Sequence, residues 1–407
     1  MIHKIHGRLL RIEKNIISVL VNGCIKKFLI NNNSIPNNLN VGDFYCLDIQ
    51  DNAVILCTMI ARGKHSSQAL SEVNRLNIPT SNNTSRLQIL TLRNQIIRAI
   101  REYFESENFI EAEVPLLVTG TCPDLYIDSF EVATDGYLTT STEYQIKRLV
   151  AGGFERIFTL TKNFRPNDIS WIHNPEFTML EWSRAYATLD DIEQDAEKLI
   201  KIAFGSVYPN RSSFIFNKCN VQIQGTEWKK ISVQEAFRQI LSINIDDEFS
   251  LNSLTAGAIE AGISIPDSFK NNAHDIISLL LAEITPHLGT QVPTFLTDWP
   301  SFMTSSAETK NSNVSERSEL FIAGVEISDG FPSLLGEKRQ RQMFELQMNL
   351  RKAQGRPSVQ LDTMYLEALE EGIPPSAGMA LGIDRLIMVI TGAKNIQEVL
   401  TFSWDER

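Results

Sequence analysis

Strand-like segments beyond residue 136 cluster without the regular helical crossovers that a parallel sheet requires. They lie at 137–144, 155–164, 177–187 and 320–331. A charged helical segment at about 336–354 and a strand-then-helix segment at 378–392 follow them. Parallel neighbours need long crossover connections, so this order predicts an α+β fold, an antiparallel sheet of roughly six or seven strands flanked by helices.

The first 61 residues have a different pattern, made of short segments in which apolar and polar residues alternate. These are HGRLLRIEK, IISVLVNG, CIKKFLI, DFYCLDIQ and AVILCTMIA, separated by turns that carry Asn, Gly or Asp. Five such strands predict a small β-barrel, either of the oligonucleotide-binding (OB) type or a generic barrel without a nucleic-acid role. We expect an OB-like module over 1–64, a Ser- and Asn-rich linker over 65–86 and a catalytic domain over 87–407.

Charge is unevenly distributed along the chain. The formal net charge of −11 argues against a protein whose whole surface binds nucleic acid. Residues 1–80 hold nine basic and five acidic side chains, a charge of +4, and the remainder carries −15. A basic module on an acidic body can steer an anionic partner, although a solvated surface is the simpler explanation of so small a charge.

The five cysteines are scattered and form none of the close pairs typical of zinc sites or redox motifs. We interpret them as buried, reduced thiols. The amino terminus lacks the charged-then-apolar order of a signal peptide, and no apolar run approaches the length of a transmembrane helix. These features predict a cytoplasmic protein with no membrane partner.

Glycine-rich phosphate-binding motifs are missing from the sequence. Neither G-x-x-x-x-G-K-[ST] nor G-x-G-x-x-G after a strand occurs, so a phosphate would be bound by groups other than a glycine-rich loop. Arginine grips phosphate with paired hydrogen bonds, and Arg165 and Arg385 stand in suitable strand-loop and helix-start settings. Glu319 and Glu326 are candidate magnesium ligands, because carboxylate oxygens suit that ion. Taken singly, each of these residues is more often a surface ion pair or a solvated carboxylate.

Three separated motifs resemble those of class II lysyl-tRNA synthetases, and they occur in that family's order. FRPNDISWIHNPEFTMLEW resembles motif 2, GMALGIDRLIMVITGAKNIQEVLTFS resembles motif 3, and NFIEAEVPLL resembles motif 1, with Pro115 at the dimer-interface proline. The resemblance runs from about residue 86 to the end of the sequence. TSTEYQIKRL before motif 2 and the compact first module resemble, within that family, the elongation factor P β-lysine ligases, which charge a protein lysine in place of a tRNA.

The resemblance implies an ATP site centred on two catalytic arginines. Arg165 would contact the α-phosphate and the substrate carboxylate, and Arg385 would cover adenine and reach the γ-phosphate. Phe177 would stack on the other face of adenine. The remaining ATP-site residues that it implies are Asn167, His173, Asn174, Glu326, Ile327 and Gly382, with Glu319 and Glu326 as magnesium ligands. Asn167 stands where the family has a glutamate that accepts a hydrogen bond from the adenine amine.

The same resemblance implies an amino-acid pocket with altered chemistry. Ser141, Thr142 and Glu143 would hold the substrate amino group, and Glu181 would face the distal end of a lysine side chain. Three positions depart from the family: Ser183 replaces a tyrosine, Ser333 a glutamate and Asp329 an asparagine. The two serines remove groups that complement a terminal ammonium. Two interpretations stay open, in which a cationic side chain is rejected or is held in a different way.

These features predict an enzyme that uses ATP and Mg²⁺ to convert an amino acid into an aminoacyl adenylate, releasing pyrophosphate. The acyl group would then pass to a protein, such as one similar to elongation factor P, or to a carrier. Transfer to tRNA is the alternative, and a catalytically inactive regulatory paralogue is the second alternative. The family resemblance also implies a homodimer formed through the motif 1 region.

Overall fold

The computed structural model describes residues 2–22, 24–30, 39–63, 75–76 and 80–407. The chain forms two compact units, Met1–Ile89 and Leu90–Arg407. Most of the predicted linker lies outside the described residues, so the predicted boundaries at 64 and 86 stay predictions.

The first unit is a closed five-stranded barrel. Its strands are β1 (His3–Glu13), β2 (Ile16–Val21), β3 (Cys24–Ile30), β4 (Phe44–Gln50) and β5 (Ala53–Ala61). They pair in the order β1-β2-β3-β5-β4, with β1 also pairing with β4. Leu9, Ile17, Val19 and Leu47 are each 1% exposed, because alternate residues of every strand point into the barrel. The predicted small barrel is confirmed.

The second unit contains most of the chain. The helix α1 (Arg86–Ser106) begins four residues before the boundary between the units and continues into the second unit. It is followed by β6 (Ile110–Glu111), β7 (Leu117–Val118), β8 (Glu131–Val132), β9 (Gly136–Leu138), α2 (Glu143–Ala151), β10 (Arg156–Phe164), β11 (Glu176–Ala185) and α3 (Leu189–Val207). The middle elements are β12 (Ser213–Phe216), β13 (Cys219–Gln222), β14 (Lys229–Ser232), α4 (Val233–Ala236), α5 (Leu251–Glu260) and α6 (Ala273–Ile284). The last are β15 (Thr294–Pro300), β16 (Val314–Ile322), β17 (Val325–Pro332), α7 (Glu337–Ala353), α8 (Thr363–Glu371), β18 (Ser376–Gly382) and α9 (Ile383–Thr391).

The principal sheet of this unit has eight strands in the order β14-β15-β16-β17-β18-β11-β10-β6. Its six central strands pair antiparallel, which confirms the predicted α+β fold. Two short strands pair parallel at the edges, β14 with β15 and β6 with β10. The sheet is therefore wider than the six or seven strands expected, because edge strands of four and two residues carry little sequence pattern.

Two predicted strand segments divide differently in the structure. Segment 137–144 holds only the end of β9, because α2 begins at Glu143, an acidic residue that suits the first turn of a helix. Segment 320–331 spans a hairpin of β16 and β17. Its turn, Ala323 and Gly324, has φ angles of 51° and 77°, the positive values that a tight hairpin requires.

One cross-strand row of residues places side chains from four strands on the same face of the sheet. Glu181 of β11 lies opposite Ala380 of β18, Ala380 lies opposite Asp329 of β17, and Asp329 lies opposite Glu319 of β16. Residues two positions away, such as Ser183, share this face. The small residues Gly378 and Ala380 leave open space above the centre of the sheet.

Among the described residues, no helix is long and apolar enough to cross a membrane. The predicted cytoplasmic location stays a prediction.

Candidate active site

A cavity of about 410 Å³ opens above this face of the sheet. Fifteen residues predicted from the sequence line it: Ser141, Glu143, Arg165, His173, Asn174, Phe177, Glu181, Ser183, Glu319, Glu326, Ile327, Asp329, Ser333, Gly382 and Arg385. Two predicted residues are not among its lining residues. Thr142 contributes a backbone N–H to Glu181, and Asn167 is exposed on the loop that follows β10. The structure thus brings nearly all of the predicted site together.

Arg165 follows the last residue of β10 and holds its guanidinium over the ring of Phe177, with Cζ 5.2 Å from the ring centroid. Its Nη2 donates a long hydrogen bond of 3.4 Å to the carbonyl oxygen of Thr140. Its Nε is buried and has no hydrogen-bond partner among the described residues. A buried donor without an acceptor is costly. An anionic ligand in this cavity would remove that cost, so the residue suits a phosphate or a carboxylate.

Arg385 lies in the first turn of α9 and is anchored on three sides. Its Nη1 donates to the carbonyl oxygen of Glu326 at 3.0 Å and lies 3.2 Å from the Glu326 carboxylate. Its Nη2 contacts Nε2 of His173. Since a guanidinium only donates, Nε2 must accept, so the imidazole carries its proton on Nδ1. Burial lowers the pKa of His173, which favours this neutral form.

Arg317 joins two acidic residues of the cross-strand row. Its Nε donates to Asp329 at 2.8 Å, and its Nη2 donates to Asp329 at 3.0 Å and to Glu319 at 2.7 Å. Its Cζ lies 4.6 Å from the ring centroid of Trp299. The sequence analysis missed Arg317. Its position two residues before Glu319, on the same face of a strand, was the available signal.

Glu319 and Glu326, the predicted magnesium ligands, both line the cavity but differ in acidity. Burial raises the pKa of Glu319 well above its usual range, against the effect of Arg317. Burial would also raise the pKa of Glu326, but Arg385 and Arg317 outweigh it and lower the value. The described residues include no cluster of three or more His, Cys, Asp or Glu arranged to hold a metal. Two carboxylates nevertheless fit magnesium, which commonly takes its other ligands from substrate phosphates and water.

Glu181 is 5% exposed and forms one corner of the cavity. Both carboxylate oxygens accept from the Ser141 hydroxyl at 3.0 Å, and one accepts from the Thr142 N–H at 2.8 Å. Burial raises the pKa of Glu181 to about 7. The sequence analysis assigned Ser141 and Thr142 to the substrate amino group and Glu181 to the distal end. In the structure these groups are in direct contact.

The two substituted serines lie beside a third. Ser183, Ser333 and Ser376 are 3%, 4% and 3% exposed. The Ser376 hydroxyl donates to that of Ser333 at 3.3 Å, and the Ser183 hydroxyl donates to the Ala377 carbonyl at 3.4 Å. This part of the cavity wall is polar but uncharged.

Comparison with known protein families identifies the fold that carries this site. Residues 74–406 match the family model described as tRNA synthetases class II (D, K and N). The chain belongs to this class II synthetase family. The resemblance found in the sequence is thereby confirmed.

Two kinds of curated ligase are similar to this class II synthetase. It is 35% identical over 327 residues to a lysine–tRNA ligase of Buchnera aphidicola subsp. Schizaphis graminum, an alignment that covers 79% of this chain and 64% of that protein. It is 34% identical over 335 residues to a lysine–tRNA ligase of Actinobacillus succinogenes, covering 79% and 65%. It is 32% identical over 336 residues to an elongation factor P–(R)-β-lysine ligase of Buchnera aphidicola subsp. Acyrthosiphon pisum, covering 79% and 97%.

Two further residues of this class II synthetase enter the site without having been predicted. Asp168 lines the cavity beside His173, at 3.4 Å from its Nδ1, whereas the neighbouring Asn167 adopts a φ of 63° and is exposed. Asp384 is 2% exposed, accepts from the Thr178 N–H at 2.7 Å and pairs with Arg93. Asp384 therefore fixes the start of α9, from which Arg385 extends. Only its position beside Arg385 signalled this role.

Proposed function

We propose that this class II synthetase is an ATP-dependent ligase that activates an amino acid as an aminoacyl adenylate and transfers it to a protein or carrier. One observation carries the proposal. Among the described residues, Arg165 and Glu181 form no ion pair, and both line one cavity. A guanidinium and a carboxylate without counter-charges complement the carboxylate and ammonium of a free amino acid.

In the proposed activation step, a carboxylate oxygen of the amino acid attacks the α-phosphorus of ATP. The bond to the bridging oxygen breaks, and pyrophosphate leaves with that electron pair. Arg165 would hold the carboxylate and the α-phosphate together and stabilise charge that develops during the displacement. Positioning and electrostatics suffice for this chemistry, so no protein nucleophile is needed.

The other nucleotide-site residues have supporting roles in this proposal. Phe177 would stack on adenine, and Arg385 would reach the terminal phosphates. His173 and Asn174 would line the same site beside Ile327. Magnesium, held by Glu319 and Glu326 together with phosphate oxygens, would neutralise charge on the leaving group.

A protein acceptor is the favoured destination of the acyl group. The alignment with an elongation factor P–(R)-β-lysine ligase covers 97% of that relative, whereas only 64% of a lysine–tRNA ligase is covered. We infer that transfer to an amine of a protein similar to elongation factor P is the second step. Transfer to tRNA is the alternative, which the basic first module favours because phosphate contacts need positive charge.

A homodimer formed through the motif 1 region is also part of the proposal. Ile110, Leu117 and Phe154 are 54%, 45% and 38% exposed, and β6 lies at one edge of the principal sheet. A second copy would remove these apolar side chains from water. Analytical ultracentrifugation of the wild-type protein and of Ile110→Glu tests this, with a shift of the variant toward monomer expected.

Amino-acid-dependent exchange of labelled pyrophosphate into ATP tests activation itself. Exchange with at least one amino acid is expected, and its absence with every amino acid would favour the inactive regulatory paralogue. A parallel transfer assay would offer the activated amino acid to an elongation factor P-type protein and to bulk tRNA. A mass increase of the protein supports the favoured acceptor, whereas salt-sensitive charging of tRNA supports the alternative.

A further inference from the structure

Two side chains from distant parts of the chain form walls of the nucleotide end of the cavity. Phe177 lies on β11 and Arg385 in the first turn of α9, and both line the cavity. In the proposed function, Phe177 stacks on adenine and Arg385 reaches the terminal phosphates. A nucleotide can contact both side chains only if β11 and the start of α9 keep a fixed separation.

The strand pairing that joins these two elements ends just before the walls. β18 pairs with β11 as far as Gly382, which lies opposite Met179, and α9 begins at the next residue. Thr178 is the next residue of β11, and its N–H donates to the carboxylate of Asp384 at 2.7 Å. The Asp384 side chain therefore continues the hydrogen bonding between the two elements past the end of β18.

Arg93 of α1 holds both members of this contact. Its Nη1 donates to Oδ1 of Asp384 at 2.5 Å, and its Nη2 donates to Oγ1 of Thr178 at 2.9 Å. The side chains of Arg93 and Asp384 are 13% and 2% exposed. Because the guanidinium is planar and rigid, it fixes the two acceptors relative to each other. One side chain thus joins β11 to the start of α9.

The charge of Arg93 matters as much as its geometry. A carboxylate as buried as that of Asp384 needs a counter-charge. Without Arg93, Asp384 would keep the Thr178 N–H but lose the ion pair, and its side chain would turn toward water. The start of α9 would then be free to move relative to β11.

We propose that Arg93 is a positioning residue for nucleotide binding, which sets the separation between Phe177 and Arg385. The inference rests on the proposed function, because that function assigns these two walls to ATP. Phe177 directly precedes Thr178, and Arg385 directly follows Asp384. Each wall is therefore the chain neighbour of one acceptor of the guanidinium. Arg93 acts from α1 and does not itself line the cavity.

A second ion pair of the same strand provides a matched control. Arg184 of β11 pairs with Asp195 of α3 at 3.1 Å, and their side chains are 19% and 5% exposed. Asp195 also accepts from the hydroxyl of Tyr103 on α1 at 3.2 Å. Neither Arg184 nor Asp195 lines the cavity. This pair therefore resembles that of Arg93 in burial and in its link to α1, but it lies away from the nucleotide end.

Isothermal titration with ATP and pyrophosphate exchange kinetics test the assignment. Arg93→Gln is expected to raise Kd and KM for ATP about tenfold, because the two walls lose their fixed separation. KM for the amino acid and kcat at saturating ATP are expected to stay unchanged. Arg93→Lys keeps the counter-charge but not the planar fork, so a smaller rise of about threefold is expected. Arg184→Gln is expected to lower Tm while leaving Kd for ATP unchanged.

Thermal melts establish which variants are folded at the assay temperature. An unchanged Kd for ATP in folded Arg93→Gln would overturn the inference. Should that variant not fold, Arg93→Lys decides the matter, and an unchanged Kd for ATP there has the same consequence. An equal loss of affinity in Arg184→Gln would also overturn it, since general loosening of the sheet would then explain both. Failure of the wild-type protein to bind ATP would instead reject the proposed function itself.

Discussion

The two ends of the cavity differ in how their charges are balanced. At the nucleotide end, Arg317 pairs with Glu319 and Asp329, and Arg385 pairs with Glu326. At the amino-acid end, Glu181 and Asp124 form no ion pair with any described residue. Ion pairs fix the geometry of their side chains before a ligand arrives, whereas carboxylates without an ion pair indicate which charges the ligand would bring. Arg165, whose Nε has no hydrogen-bond partner among the described residues, is the residue proposed to contact both the α-phosphate and the substrate carboxylate.

The largest expected effect on activity comes from replacing Arg165. Arg165→Ala is expected to reduce kcat for pyrophosphate exchange by about 10² to 10³, the usual cost of losing one donor to transition-state charge. Exchange kinetics at saturating ATP measure this. Arg101→Ala removes an exposed arginine paired with Glu111 and is expected to have no effect. Retention of most of the activity in Arg165→Ala would mean that Arg165 does not hold the substrate carboxylate and the α-phosphate together.

Two glycines of β18 offer a comparison within one strand. A Cβ at Gly382, at the nucleotide end, would lie no closer than 3.6 Å to any atom, whereas one at Gly378 would meet the Trp182 carbonyl oxygen at 2.8 Å. Gly382→Ala is expected to keep the thermal stability of the protein and to raise KM for ATP about tenfold by obstructing the nucleotide. Gly378→Ala is expected to lower stability by about 1–3 kcal/mol. Thermal melts measure the stability of the two variants, and ATP titrations measure their KM for ATP. Equal stability and equal KM in Gly382→Ala and Gly378→Ala would contradict the expected difference.

The acidity of Glu181 makes the amino-acid end sensitive to pH. Because burial raises its pKa to about 7, its ionised fraction increases about tenfold between pH 6 and pH 8. KM for the amino acid is expected to fall about tenfold over this range, since only the ionised form attracts an ammonium. Glu181→Gln should remove this dependence while leaving KM for ATP unchanged. A profile that is the same in both proteins would show that another group controls binding.

The raised pKa of Glu181 also makes the stability of the folded protein depend on pH, in the direction opposite to binding. The folded protein holds the Glu181 proton more tightly than the unfolded chain, whose glutamate has a pKa near 4.5. Ionisation of this group therefore costs stability as the pH rises from about 4.5 to about 7, and the loss levels off above that range. Binding thus improves over the pH range in which this carboxylate makes the folded state less stable.

The smallest effect is expected in the loop after β10. Asp168→Asn is expected to raise KM for ATP about two- to fivefold, because Asp168 lines the cavity and contacts His173. Asn167→Ala, at the neighbouring exposed position, is expected to change it less. Measuring both with ATP and GTP would also detect a change in base selectivity. A larger effect of Asn167→Ala would support the role in the ATP site that the sequence predicts for Asn167.

Residues that belong to continuous motifs could be predicted from the sequence. Arg165, Phe177 and Arg385 stand in strings whose order and spacing identify the family, and all three line the cavity. The α+β sheet followed equally from the order of its strands. Its two edge strands did not, because segments of two and four residues are too short to show a period.

Residues whose roles depend on distant partners were missed. Asp124 and Ser305 are 181 positions apart, and Arg93 and Asp384 are 291 apart. Neither contact leaves a local pattern, because only the folded chain brings these segments together. The contact between Glu181 and Ser141, 40 positions apart, was missed for the same reason, although both residues were assigned to the site.

Arg351 connects the segment that carries Asp124 to α7, a helix none of whose residues line the cavity. Because this single side chain, at the end of α7, holds the carbonyl oxygens of Asp124 and Ile127 and the carboxylate of Asp128, a shift of α7 by a fraction of a helical turn would move Asp124 relative to Glu181.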